Sequence, residues 1–193
     1  LAARFQQRHP HLQLRAVVSN GAQLSQHLLE NTIDLALIEG SILLPQLVSE
    51  PFSGDHLQLI LPPGHPLSER KSLRLEELAE EPFLLRERGS AGREFLDHVF
   101  AAHQLPLTPL WESASTQAII KAVGAGLGVS FLPEKLVSQA IAEGSVRTVP
   151  IENEPFCRTH HIVYHRHKFL TQSAREFIAL CHEMEASADV MEP

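Results

Sequence analysis

The chain has 193 residues, 44% of them hydrophobic and 20% charged, so it can bury a core and is not a disordered tract. Its net charge is −7 with no cluster of Lys and Arg, which excludes a duplex-binding surface on this chain. No apolar run approaches the roughly 20 residues that span a bilayer.

The predicted elements alternate between helix and strand. Residues 1–8 read as the end of a helix, stopped before Pro10. Leu12, Leu14, Ala16 and Val18 alternate, which predicts a strand over 12–18. Asn20–Gly21 signals a turn, and 23–30 form a helix with Leu24, Leu28 and Leu29 on one face. Residues 34–38 (DLALI) are a short run dominated by apolar residues, as expected of a buried parallel strand. Strands at 47–52 and 57–61 follow. The next segment, Pro62-Pro63-Gly64-His65-Pro66, holds three prolines in five residues. It can continue neither a helix nor a central strand, and it marks a candidate crossover.

Beyond it the alternation restarts. Helices are expected at 75–79, 91–103 and 116–125, and strands at 83–86, 110–113 and 129–132. Short helices lie within 134–143, with strands at 146–149 and 161–165. A last helix runs over 171–186. Strands alternating with helices predict parallel sheets with right-handed crossovers. Two such blocks predict two α/β lobes, with a ligand cleft at strand carboxyl ends and helix amino ends.

Several segments, in order, resemble the regulatory domain of LysR-type transcription regulators. They are FQQRHPHLQL, the helix entering DLALIEG, LILPPGHPL, LRLEELAEEPFLLRERGSAGREF, ESASTQAIIKAVGAGLGVSFLPEKLV and HKFLTQSAREFIALC. The branch looks similar to regulators of sulfur metabolism and carbon fixation. The resemblance implies an α/β fold of the type 2 periplasmic-binding-protein class, two Rossmann-like lobes joined by crossover strands. Lobe I would be 1–61 plus 161–193, and lobe II 62–160. It also implies a winged helix-turn-helix, a linker helix and a first strand ahead of Leu1, none of which this sequence shows. DNA would be met only through that missing N-terminal part.

Three expected helix starts carry the candidate effector contacts. Ser90, Ala91, Gly92 and Arg93 lie between a strand and a helix, where free N–H groups and the helix dipole favour an anion. The family's usual form there is close to GSGTR; Ala91 and Gly92 depart from it, and a hydroxyl donor is lost. Ser115 and Thr116 precede the helix QAIIKAVG. Ser19 and Asn20 open the third helix, while Glu39 and Gly40 end the DLALI strand. Each hydroxyl either caps its helix alone or also touches ligand. Glu39 either meets a cationic group or faces solvent.

Gly124, Gly126 and Gly128 end a helix and enter a strand, the reverse of a nucleotide fingerprint, so they read as packing glycines. His160, His161, His165 and His167 lack a Cys-rich or acidic partner at ligand spacing, and no metal or cofactor is expected. No GxSxG, HExxH or P-loop is present, so an enzyme is not expected.

The expected partner is a small-molecule effector, an anion or an acidic, sulfur-related metabolite. The resemblance also implies a homodimer through regulatory domains and a tetramer at full length. Phe95, Leu96, Val99 and Phe100 look like surplus apolar surface for such pairing, as do Leu1 and Phe5. No membrane partner is expected. Two lone cysteines and no visible signal peptide fit the cytoplasm. The rival readings are a periplasmic solute receptor of the same fold and a small enzyme on this scaffold.

Overall fold

The protein is described by a computed structural model that covers residues 1–40, 42 and 44–188, with side chains described through residue 184. It divides into two compact units, Leu1–Gly54 with Thr159–Pro193, and Asp55–Arg158. The chain passes between them within two strands, β2 (Leu47–Leu61) and β7 (Cys157–His165). The residues expected as two strands at 47–52 and 57–61 are therefore one. The exchange falls inside β2 rather than at Pro62–Pro66. The prolines follow as a turn, in which the His65 N–H donates to the Pro62 carbonyl at 3.2 Å.

The first unit contains α1 (Ala2–Arg8), α2 (Gly21–Leu29), β1 (Ala36–Glu39), its share of β2 and β7, and α6 (Gln172–Ala188). In β1, Ala36 and Ile38 are buried while Leu37 and Glu39 face outward, the period of two that a half-covered strand shows. These two residues pack with Leu28 of α2, Leu47 and Val163 as the unit's core. Phe5 of α1 is buried edge-on against Phe177 of α6, with ring centroids 5.1 Å apart.

The strand expected over 12–18 does not form. Val18 is 99% exposed. Alternation supplies a face, but a strand also needs a partner's N–H and C=O groups, and no described residue pairs with this segment's backbone in a ladder.

The sheets are mixed, not parallel throughout as the alternating pattern predicts. β1 pairs antiparallel with β7. In the second unit, β2 pairs antiparallel with β5 (Ser130–Pro133) and β6 (Arg147–Thr148). By contrast, β3 (Phe83–Arg86) and β4 (Pro109–Ser113) pair parallel. The antiparallel pairs arise because the chain leaves the first unit on β2 and returns on β7.

The other elements of the second unit are α3 (Ala91–Ala102), α4 (Thr116–Gly124) and α5 (Glu134–Ala142). The helix expected at 75–79 is a single 3-10 turn, Leu75–Leu78. Alternate residues of β2 divide the core. Leu57, Leu59 and Leu61 join Phe83, Phe100 and Phe131 on one face. Ile60 joins Leu84, Leu132, Ile119 and Val123 on the other. Each such fully buried side chain contributes about 1.5–3 kcal/mol through removal of apolar area from water.

Leu96 and Phe100 of α3 are buried in that core, and Phe95 and Val99 pack against it. They are not spare surface. Among the described residues no helix is long and apolar enough to cross a membrane, and no three His, Cys, Asp or Glu are grouped to hold a metal. His160 instead shares a 2.8 Å hydrogen bond with the Ser53 hydroxyl. Cys157 is exposed, and burial pushes the Cys181 thiol up to about 11.

Candidate functional site

The second unit brings two helix starts to one end of a parallel strand pair. Arg86, the last residue of β3, stands opposite Ser113, the last of β4. Because the strands are parallel, both chains leave at the same end, one into α3 and one into α4. The first turn of each helix has backbone N–H groups with no partner inside the helix, and the helix dipole makes that end positive.

Ser115 is the N-cap of α4. Its Oγ accepts the Ala118 N–H at 3.3 Å, and its own N–H donates to the Ser113 hydroxyl at 3.1 Å. Ser90 is the N-cap of α3 and is only 6% exposed, yet its hydroxyl makes no capping bond. Ala91 and Gly92 follow, half-buried. A Cβ on Gly92 would stand 3.4 Å from the Arg158 guanidinium and 3.9 Å from Ser90 Oγ. A hydroxyl and a buried cation therefore converge beside Gly92.

Arg158 reaches this point from β7. Its side chain is 3% exposed, and it donates to Asp55 of β2 through Nε at 2.9 Å and through Nη2. A second arginine, Arg86, forks onto Glu87 at 2.8 and 3.1 Å. Its Nη1 donates to Thr116 Oγ1 at 3.3 Å, which ties the end of β3 to the start of α4. Burial raises the Glu87 carboxyl, but the hydrogen bonds from Arg86, its own backbone N–H and the Arg86 charge together hold it below the ordinary range.

Arg93 turns into the framework. It is 3% exposed, and its guanidinium donates to Asp97 at 2.9 Å, Glu112 at 2.6 Å and the Arg86 carbonyl at 3.2 Å. Burial works against its charge, but the hydrogen bonds to Glu112 and Asp97 more than offset this, and its pKa is raised. Its donors thus brace α3 against β4.

The remaining candidates lie in the first unit. Asn20 caps α2, with Oδ1 accepting the Gln23 N–H at 3.0 Å, and Ser19 hydrogen-bonds the Gln23 side chain. Glu39 is exposed at the end of β1, opposite His160 in register. Gly40 follows in a left-handed turn at φ +78°, its N–H donating to the Thr159 carbonyl at 2.8 Å. Gly21 lies against Ile38, 3.7 Å from where a Cβ would stand. That contact packs the start of α2 against β1.

Sequence reading missed Asp55, Arg86 and Arg158. No sequence signal singles them out: β2 and β7 carry other polar residues around Asp55 and Arg158, and only the pairing of the two strands' charges marks them. A buried charge is costly unless a partner is built in.

The model of the LysR substrate binding domain matches residues 1–186. The chain is 32% identical over 179 residues to the uncharacterized HTH-type transcriptional regulator YeiE of Escherichia coli K12, covering 93% of this chain and 61% of that protein. It is 33% identical over 181 residues to the RuBisCO operon transcriptional regulator of Allochromatium vinosum, covering 92% and 60%. It thus spans about three fifths of the length of these two relatives. The regulatory domain of Synechocystis CcmR, solved in complex with 2-PG, superposes with a TM-score of 0.87 at 23% identity, covering 95% of this chain and 88% of that one. That likeness places the fold with effector-binding domains of the type 2 periplasmic-binding-protein class. With the family model spanning nearly the whole chain and two regulators at about one third identity, this chain belongs to the LysR family as its effector-binding domain.

Proposed function

We propose that this domain senses a small anion or acidic metabolite for a cytoplasmic DNA-binding transcription regulator, without cofactor, metal or turnover. One observation carries the ligand class. Ser90 and Ser115 open two helices at one end of the β3–β4 pair, with the buried Arg158 guanidinium against Gly92. Unpaired N–H groups, two dipole ends and hydroxyl donors are what a carboxylate, sulfate or phosphate group uses. The low exposure of Ser90 keeps such a contact away from competing water. Ser19, Asn20, Glu39 and Gly40 form the first unit's counterpart. DNA is met through a part of the regulator outside this chain. Effector acts on it by binding one conformation more tightly than another.

Thermal unfolding with sulfate, acetate and 2-PG tests the ligand class. An anion at a hundredfold excess over its Kd stabilises by about 2.7 kcal/mol. Ser115→Ala also removes a cap, which costs about 1 kcal/mol by itself, so the quantity to compare is the ligand-induced shift. That shift should shrink in the variant. If no anion raises the melting temperature beyond chloride at equal ionic strength, the ligand class is wrong.

We also propose that two copies pair through these domains, and that the full-length regulator is a tetramer. Exposed apolar side chains support the pairing. Leu110 and Trp111 of β4 are 67% and 42% exposed, and segment 12–18 carries the exposed Val17 and Val18. Exposed apolar side chains of this kind are natural pairing surfaces, and two-fold symmetry would use each twice. Sedimentation at tens of micromolar should give the mass of two chains, and Trp111→Glu that of one. A one-chain mass for the unaltered protein would defeat the proposal.

A further inference from the structure

The first unit holds an open cavity of about 360 Å³ between its sheet and α6. That is at the small end of the range of about 300–1,000 Å³ usual for ligand pockets. β7 lies between β1 and β2 in the sheet, and successive side chains of a strand point to opposite faces. Leu47 and Val163 turn to the core with α2 and β1. Glu50, three residues on in β2, and Tyr164, one residue on in β7, therefore stand on the other face. There they line the cavity with Arg175 and Ile178, which share a face of α6 at a spacing of three. The turn between β7 and α6 closes the space with Phe169 and Leu170.

The charged groups of this cavity differ in how far they are already satisfied. Lys168 also lines it, but its Nζ donates to Asn31 Oδ1 at 2.5 Å and pairs with Asp34 at 2.9 Å, so its ammonium is spent elsewhere. Glu50 is half-buried, and its Oε1 accepts the Tyr164 hydroxyl. That hydrogen bond, burial and the Glu50 charge raise the Tyr164 phenol to about 12. The phenol thus remains a donor at neutral pH and holds the carboxylate in place. Arg175 donates from Nε to the Leu170 carbonyl at 3.3 Å, which draws its guanidinium to the turn. Its two Nη atoms and Glu50 Oε2 have no partner among the described residues. Arg175 and Glu50 line the same cavity, yet no ion pair joins them.

A carboxylate and a guanidinium that share a cavity without meeting can be bridged by one molecule bearing both complementary charges. A simple anion would meet Arg175 but also the like charge of Glu50, and a simple cation the reverse. A zwitterion satisfies both, its carboxylate on the Arg175 fork and its ammonium on Glu50. An apolar side chain on that molecule would cover Phe169, which is 81% exposed, together with Leu170 and Ile178. We infer that this cavity is a second ligand site, taking a free amino acid with an aliphatic side chain. It belongs to the first unit, and it reads both charges of its ligand, whereas the helix starts of the second unit select an anion.

Backbone amide shifts of the 193-residue chain test this, with L-leucine as probe. Its two controls are 4-methylpentanoate, which lacks the ammonium, and 3-methylbutylammonium, which lacks the carboxylate. Leucine should cause saturable shifts confined to residues 48–52, 163–171 and 174–179, and each control should bind about tenfold more weakly. Arg175→Gln should weaken leucine about fivefold, the value of an exposed charge contact, and leave 3-methylbutylammonium unchanged or tighter. Glu50→Gln keeps an acceptor for Tyr164. It should weaken leucine about tenfold and leave 4-methylpentanoate unchanged or tighter. A control that binds as tightly as leucine, shifts centred on residues 90–92 and 115–116, unchanged leucine binding in either variant, or no saturable response below about 10 mM would each overturn the inference.

Discussion

Gly128→Ala should cost about 4 kcal/mol or more, while Gly126→Ala, two residues away, should cost only about 1 kcal/mol. A Cβ on Gly128 would stand 2.1 Å from the Pro82 carbonyl oxygen and 3.3 Å from the Leu84 side chain. The oxygen belongs to backbone and cannot swing aside. It accepts the Val129 N–H at 2.9 Å, and the Leu84 N–H donates to the Val129 carbonyl at 2.8 Å. Alanine must therefore push β3 away from the start of β5. That breaks both bonds in a fully buried place, at about 1–3 kcal/mol for each group left unpaired. Gly126 adopts φ +83° but would meet nothing within 4 Å, so its substitution carries only the left-handed strain. Urea unfolding at equilibrium measures both. A Gly128→Ala protein within 1 kcal/mol of the unaltered chain would refute the packing role of the GxGxG segment.

Asp55→Ala should destabilise the chain by about 3–5 kcal/mol, because it strips a carboxylate from a buried guanidinium. The two side chains are 3% and 9% exposed, so neither water nor salt can readily replace the lost partner. Replacing both, Asp55→Leu with Arg158→Met, should restore most of the stability, since no charge is then left buried. The double variant has a second use. It should fold yet respond less to anions, because the Arg158 guanidinium beside Gly92 is gone. Recovered stability with an undiminished anion shift would make the pair purely structural. Failure of the double variant to recover would mean that the arginine is needed by the fold itself.

Much of the fold is legible in the sequence because apolar periodicity is a local property. The faces of α2, α3 and α4 follow from side-chain direction along a helix, whereas β1 reads as an apolar run and only the fold turns Leu37 outward. Ser115 and Asn20 are likewise readable as caps, since capping is settled within four residues, and Ser90 is readable as a helix start although its hydroxyl does not cap.

Strand pairing is not local, and it escaped the sequence. The segment 12–18 has a strand's alternation but no described partner, so its pattern alone does not make it a strand. The direction of pairing depends on which strands meet, and β2 and β7 make much of it antiparallel. The apolar residues of α3 were ambiguous for the same reason: a helix face shows that it will be covered, not by what.

The charges of the candidate site divide in the same way. Sequence alone marks Arg93 as a cation at a helix start. Only tertiary structure turns it onto Glu112, nineteen residues away, and sets Arg158, from the far end of the chain, behind Gly92. What a buried charge does is decided by its partner, because desolvation makes the unpaired state too costly to persist. These partners come from distant segments, so the family and the helix starts were determined by local sequence, and the electrostatics of the site by the fold.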